Sequence, residues 1–342
     1  MASIQLRGST KIEDFKKPYV VAEVETNHRG KMDKVKEMII AAKKAGCDCV
    51  KFQSWTTDTL YSKVIYEKNP ITKRMVKSFS LSEEQLLEAC EFCREVGIDF
   101  SSTPYSKEEV DFLVDKCKVP YVKVASMDLN NYPYLDYIAR KGVPIVLATG
   151  MSDMDEIEKA VQTIEKAGNN QLCLLHCISI YPPKLETVNL KNIIGLRKRF
   201  PNYPIGLSDH SLGIEVAVAS MVMGVALIEK HLTLDKTLMG WDNDMAMEPD
   251  EFANMIQCCD NVYQALGVEE RILGGDELEQ RKNMRRSIIA ARDMKAGTVI
   301  KLEDLDAKRP GTGIPPEKMS ALVGKVLKRD ITADELISEE DV

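Results

Sequence analysis

Residues 205–236, IGLSDHSLGIEVAVASMVMGVALIEKHLTLDK, decide how the chain is read. They predict a strand (IGLSDH), a helix and a second strand (ALIEKHLTL), with His210 and His231 at or near the two strand ends. Residues two apart on a strand share a face, so Ser208 points with His210 and Glu229 points with His231. The remaining positions are mostly apolar, as in parallel strands buried on both sides. Polar pairs on such strands cost free energy unless something uses them. Two imidazoles about one strand apart suit a divalent metal held open for a substrate. A pair of hydrogen-bonded core histidines is the alternative.

The same alternation runs outward from this unit toward the N-terminus. YVVAEV, CVKFQ, DFSSTP, YVKVAS, PIVLATG and LCLLHCIS read as strands, each followed by a segment with helical spacing such as MDKVKEMIIAAKKAG or LSEEQLLEACEFCREVG. With the opening pair this makes eight strand–helix units in about 260 residues, which predicts a TIM (β/α)8 barrel. A doubly wound open sheet is the rival, weakened because AEVETNHRG, not a Gly-rich dinucleotide turn, follows the first strand. The polar stretch 54–80 is too long for an ordinary connection and is expected to be a functional loop. From near Asn283 the pattern changes to short strands and Gly/Pro turns. DMKAGTVIKLEDL (from Asp293) and DITADELISEEDV (from Asp330) echo one another, which suggests a pseudo-symmetric module. The expected organisation is a barrel at 1–266, a charged linker at 267–282 and a small, mostly β domain at 283–342. So small a module is marginal alone.

The 342 residues are 44% hydrophobic and 29% charged, enough for a sizeable core. A net charge of -7 argues against nucleic acid or an anionic membrane as partner. No apolar run reaches membrane-spanning length, and no secretory signal pattern is read at the start. Nine cysteines, an odd number scattered through helices and strands, fit a reducing cytoplasm. Cys90 and Cys93 form a CxxC inside an amphipathic helix with no second pair, so they and Cys258 and Cys259 are read as structural.

A TIM barrel carries its chemistry at the strand C-termini. Those ends offer Glu23, Glu25, Lys51, Gln53, Thr103, Lys123, Ser126, Asp128, Ser179, Ser208 and Glu229, and all four histidines, His28, His176, His210 and His231. Lys51 and Lys123 stand inside apolar runs, where an ammonium must be paired or lose its proton. Ringed by Thr103, Ser126, Ser179 and Ser208, they make a pocket for phosphate or carboxylate. Pairing with Glu23 inside the barrel, or Schiff-base chemistry, are the other readings. If the lysines lie unpaired without ligand, Lys51→Met and Lys123→Met should weaken anion binding severely while stability falls little or even rises. The inventory suits carbon–carbon bond formation between a phosphorylated enol and a sugar aldehyde, with a metal polarising the carbonyl.

The segments AEVETNHRG, KFQ, SSTPYS, KVASMDLNNYP, ATGM, LLHCISIYP, GLSDHS and EKHLTLDK, in this order, resemble the sialic acid synthase family. RSIIAARDMKAG and KRPGTG are similar to its antifreeze-like (SAF) domain, a β-clip fold. The resemblance implies condensation of phosphoenolpyruvate with N-acetylmannosamine or a related acylamino hexose, releasing phosphate by C–O cleavage. It implies Mn²⁺, with Mg²⁺ or Co²⁺ as alternatives, on His210 and His231. It places phosphoenolpyruvate on Lys51, Thr103, Lys123, Ser126, Ser179 and Ser208, makes Glu23 the acid–base group, and turns Gln53, Asp128, Tyr181 and Asp242 toward the sugar. Arg309 would reach the sugar from the partner's small domain in a domain-swapped homodimer. Four features depart from the family pattern. Glu25 stands where Gly is usual, Asp128 replaces a frequent Glu, Ala148 replaces a Ser, and GWDN at Gly240 to Asn243 replaces GPDH. A diacetamido-trideoxyhexose giving legionaminic- or pseudaminic-type products therefore stays open as acceptor. So does another 3-deoxy sugar acid synthase and, outside enzymes, a carbohydrate- or ice-binding protein.

Overall fold

The computed structural model describes residues 1–238 and 240–342 and divides into two compact units, Met1–Gly267 and Val268–Val342. In the first, eight strands form one parallel sheet: β1 Tyr19–Glu23, β2 Cys49–Gln53, β3 Asp99–Thr103, β4 Val122–Val124, β5 Ile145–Ala148, β6 Leu172–Cys177, β7 Ile205–Asp209 and β8 Leu227–His231. The order is β3-β2-β1-β8-β7-β6-β5-β4, so the first and last strands pair and the sheet curls into the expected barrel. β3 and β4, at the two ends of that order, pack side by side.

Each strand is followed by a helix, which is what makes its successor parallel. The helices are α1 Met32–Ala45, α2 Glu83–Val96, α3 Lys107–Phe112, α4 Tyr132–Ala139, α5 Met154–Lys166, α6 Asn192–Arg199, α7 Glu215–Val222 and α8 Pro249–Leu266. Their ends follow local chemistry. Ser82 with Gln85 and Asp153 with Glu156 form reciprocal capping boxes. Gly46, at φ 95°, closes α1 by donating its N–H to Ala42 and Lys43 carbonyls.

Alternation along the strands divides the barrel into two apolar layers. Val20, Ala22, Val50, Phe52, Leu174, Leu207 and Ile228 face the helices. Tyr19, Val21, Cys49, Tyr121, Val146, Cys173, Leu175 and Leu227 fill the interior, together with Ile4, Leu6 and Ile12 from an N-terminal hairpin, Ser3–Gln5 paired with Lys11–Glu13. Toward the strand C-termini the inward positions turn polar, and this switch positions the site.

The stretch 54–80 is not a featureless loop. It holds helices Lys63–Lys68 and Pro70–Phe79, the second started by Asn69, whose side chain accepts the Thr72 N–H, and by Pro70 in its first turn. Trp55, Tyr66 and Val76 make a small core there with Leu60, Phe79, Tyr105 and Trp241.

In the second unit the segment read as a charged linker carries a helix, Gly275–Met284. Asp276 and Glu277 in its first turn and Arg281 and Lys282 in its last complement the helix dipole. Ser287–Ala290 pairs antiparallel with Leu305–Lys308 over a core that includes Ile288, Met294, Ile300, Leu327, Ile331 and Ile337. The sequence echo is a structural pseudo-twofold. Asp293 accepts the Ala333 N–H while Asp330 accepts the Ala296 N–H. Arg292 bonds Asp304, and its counterpart Arg329 bonds Asp341.

Candidate active site

The C-terminal mouth of the barrel opens on a cavity of about 450 Å³. Of the residues named from the sequence, Glu23, Lys51, Gln53, Thr103, Lys123, Ser126, Ser179, Tyr181, Ser208, His210, His231 and Asp242 line it. Asp128 and Arg309 are not among its described lining residues. Asp128 sits half-buried just behind, in the short turn Ser126–Asp128, held by the Asn131 amide. Arg309 is exposed in the C-terminal unit, on the loop after Leu305–Lys308.

At the cavity floor the lysines are paired. Lys51 touches Glu23 Oε2 and donates to Thr103 Oγ1 at 3.1 Å. Lys123 lies 3.1 Å from Glu229 Oε1, which also accepts the Ser208 hydroxyl at 3.2 Å and stands 3.9 Å from Lys51. All four charged groups are buried. The unpaired state on which the expected stability of the lysine variants rested is therefore not the one the barrel adopts. Glu23 Oε1 accepts the Glu25 N–H (2.9 Å) and the Gln53 amide (3.3 Å). Burial, with Glu229 adding, raises the proton affinity of Glu23 against the opposing pull of Lys51. Beside the lysines, Ser126 Oγ accepts the Gly150 N–H at 3.0 Å. A Cβ on Gly150 would run into the Ser126 and Ser179 hydroxyls, so the backbone itself approaches this pocket.

The two imidazoles meet above, with ring centroids 5.3 Å apart. His210 donates Nδ1–H to the Ile178 carbonyl at 2.9 Å, which leaves Nε2 as its free ligand atom. His231 Nδ1 is buried with no hydrogen-bond partner among the described residues, and Asp242 Oδ2, at 3.6 Å, is too far to serve. Burial and the surrounding cations, His210 first, push His231 well below the ordinary imidazole range, so the ring is a neutral donor. No group of three His, Cys, Asp or Glu side chains converges on one metal position among the described residues. The donor set fits an ion held by two imidazoles and otherwise open. Tyr181 stacks on His210 at 4.2 Å.

The concentration of histidines at strand ends pointed to the right face but counted two too many. His176 alternates outward, between Leu175 and Cys177, and bonds the Val188 carbonyl at 2.7 Å. His28 accepts the Gly30 N–H at 3.0 Å and packs on Phe52. Asn243 does not shape the cavity either. Its amide ties the loop carbonyls of Asp235 and Leu238 and accepts the Thr233 hydroxyl.

Sequence reasoning passed over several residues. Glu229 was placed on the right face but given no role. Tyr105 and Trp55 hold Gln53 Oε1 at 2.8 and 2.9 Å. Lys230, fully buried, points away from the cavity to Asp209 Oδ2 and the Ser211 carbonyl, both at 2.7 Å, and so braces the two histidine-bearing strand ends. Cys177 shares the inward face of its strand with Leu175; burial opposes its ionisation, but His210, Ser126 and Ser179 draw its thiol down to about 7.

Fold and mouth together define a (β/α)8-barrel enzyme built for an anionic substrate. The chain belongs to the NeuB family, whose model matches residues 38–271, and residues 285–342 match the SAF domain. It is 38% identical over 328 residues to the N,N'-diacetyllegionaminic acid synthase of Legionella pneumophila, covering 92% of each chain. It is 34% identical over 331 residues to the N-acetylneuraminate-9-phosphate synthase of Homo sapiens, covering 94% of this chain and 92% of that protein. The crystal structure of the N-acetylneuraminic acid synthetase of Leptospira borgpetersenii in complex with citrate superposes with a TM-score of 0.75 at 30% identity, over 82% of this chain and 96% of that one. The chain is a nonulosonic acid synthase, a phosphoenolpyruvate-dependent condensing enzyme.

Proposed function

We propose that this synthase joins phosphoenolpyruvate to an acylamino hexose, N-acetylmannosamine or a diacetamido-trideoxyhexose, with a divalent ion, Mn²⁺ before Mg²⁺ or Co²⁺, on His210 and His231. The observation that carries the reading is one cavity holding two buried lysines, a buried carboxyl of raised proton affinity and an orphaned imidazole nitrogen.

Lys51 and Lys123 take the phosphate and carboxylate, with the hydroxyls of Thr103, Ser126, Ser179 and Ser208 and the Gly150 N–H completing the cradle. Glu23 and Glu229 hold the lysines aimed until the substrate anion arrives. An ion held there by His210 and His231 would supply Lewis acidity at the sugar carbonyl. Gln53, locked by Tyr105 and Trp55, orients the sugar with Tyr181, Asp242 and Asp128. C3 of phosphoenolpyruvate then attacks the aldehyde carbon. Glu23 gives its proton to the new alkoxide and regains one from the water that adds to C2; the C2–O bond to phosphate then breaks, and the C2 hydroxyl proton leaves with the phosphate as the ketone forms. Arg309 of a partner subunit completes the sugar side in a domain-swapped homodimer. Nine free thiols support a cytoplasmic setting. No helix among the described residues is long and apolar enough to cross a membrane.

The test is phosphate release from phosphoenolpyruvate across a panel of acylamino hexoses, with product mass. Activity should vanish on chelation and return with Mn²⁺. Release that needs no sugar, or full activity in a metal-free preparation, would refute the respective part.

A further inference from the structure

Glu25 carries costs that the packing around it does not offset. It is only 7% exposed, yet its backbone sits at φ 38°, in the left-handed region where glycine is at ease and a side chain is strained. Its carboxyl is buried at the cavity wall among other acids, beside Glu23 and within reach of the charge on Asp242. Its hydrogen bonds are local. Oε2 accepts the N–H and hydroxyl of the next residue, Thr26, at 3.1 and 2.7 Å, and Oε1 accepts none among the described residues. Backbone strain of this kind persists at sites that bind ligands.

The surroundings say what the group could bind. Gln53 is committed to Glu23, Trp55 and Tyr105. Glu25 is left available in a cavity it shares with Trp241, Trp55, Leu60 and Tyr61. Trp241 packs on Trp55 at 5.7 Å and on Phe79 at 6.1 Å, a fixed apolar wall, and Asp242, next to it in the chain, is the carboxylate that faces Glu25. A carboxyl with an uncommitted oxygen, in a cavity that Trp241 also lines, complements an acetamido group, which has a polar amide edge and a methyl end. Burial first, then Asp242, pushes the Glu25 carboxyl up to about 8. A glutamine amide would keep a polar group of the same length at this position.

We propose that Glu25 determines acceptor specificity, hydrogen-bonding an acylamino substituent whose methyl packs on Trp241. The two candidate acceptors share one acylamino group. Glu25 and Trp241 supply recognition surface additional to Gln53, Tyr181 and Asp242, and it serves the second group, so the diacetamido sugar is preferred. The inference rests on the acylamino-sugar reading above.

The experiment compares wild type, Glu25→Gly and Glu25→Gln as full chains with Mn²⁺. It measures kcat/KM for a diacetamido-trideoxyhexose and for N-acetylmannosamine, KM for phosphoenolpyruvate, and Tm. Glu25→Gly should melt at or above the wild-type temperature, because strain and a buried acid are removed. It should keep its phosphoenolpyruvate KM and lose diacetamido over monoacetamido selectivity by about tenfold, the value of one hydrogen bond with a stranded partner. Glu25→Gln should retain most of the selectivity. An unchanged ratio in Glu25→Gly, an equal loss in Glu25→Gln, or a fall in Tm with both substrates affected alike overturns the proposal. Wild type that releases phosphate with neither sugar overturns the acylamino-sugar reading and this inference together.

Discussion

Lys123→Met should destabilise the barrel more than Lys123→Met combined with Glu229→Leu. Lys123 and Glu229 are 3.1 Å apart with side chains 4% and 6% exposed. At that distance and an effective dielectric near 20, their attraction is about 5 kcal/mol. Taking each ion out of water costs several kcal/mol, so the pair as a whole contributes little. Removing one member is different. Glu229 would keep only the Ser208 hydroxyl at 3.2 Å and Lys51 at 3.9 Å, and breaking a buried pair this way costs about 3–5 kcal/mol. For a unit of this size the lower figure corresponds to a Tm fall of roughly 6–12 °C. The double variant carries neither charge and should regain most of the loss. Both variants should be inactive with phosphoenolpyruvate. The assay is urea unfolding followed by tryptophan fluorescence. Trp55 and Trp241, the two tryptophans of the chain, both lie in Met1–Gly267, so the signal follows the barrel alone. Wild-type stability in Lys123→Met, or a double variant as unstable as the single, would refute the reasoning. Paired lysines thus turn a variant expected from the sequence to cost little stability into a strongly destabilised one.

Two further expectations can be tested, the first from the structure and the second from the proposed shared site. Burial lowers the His28 pKa from 6.5 to about 4, so between those values the unfolded chain binds the extra proton; stability should fall as pH drops from about 6.5 to 4, by up to about 3 kcal/mol, and a His28→Asn variant should lose that part of the slope in unfolding titrations while remaining active. If Arg309 completes the partner's site, separately inactive His231→Ala and Arg309→Ala chains co-refolded in equal amounts should regain about a quarter of wild-type activity, and no recovery in mixed dimers shown to form would eliminate the shared site.

The fold was legible because each level of the sequence agrees with it. Strands such as YVVAE and LCLLHC are buried at every position and apolar except for Glu23 and His176, as in strands covered on both faces. Capping boxes and glycine stops punctuate the helices between them. The polar stretch 54–80 was misread because its two helices are short and bury little. Only Tyr66 and Val76 within them are buried, so periodicity had almost no apolar stripe to detect. The helix Gly275–Met284 buries nothing at all, and its charges looked like linker.

The site was legible only as far as a period of two reaches. That rule put Ser208 with His210 and Glu229 with His231, and it could have turned His176 away, since its neighbours Leu175 and Cys177 face inward. It cannot set the register between strands distant in sequence. Glu23 lies directly opposite both Lys51 and His231, and Ser208 lies opposite Glu229, because β1 sits between β2 and β8 once the barrel has closed. Each charged residue looked alone along its own strand, where an isolated buried lysine implies an absent anion. Across the closed sheet the same lysines meet carboxylates. If the two lysines bind the substrate anion as proposed, that anion must enter a standing ion-pair network by sharing or displacing partners. Such a network would keep Lys51 and Lys123 oriented before a ligand arrives.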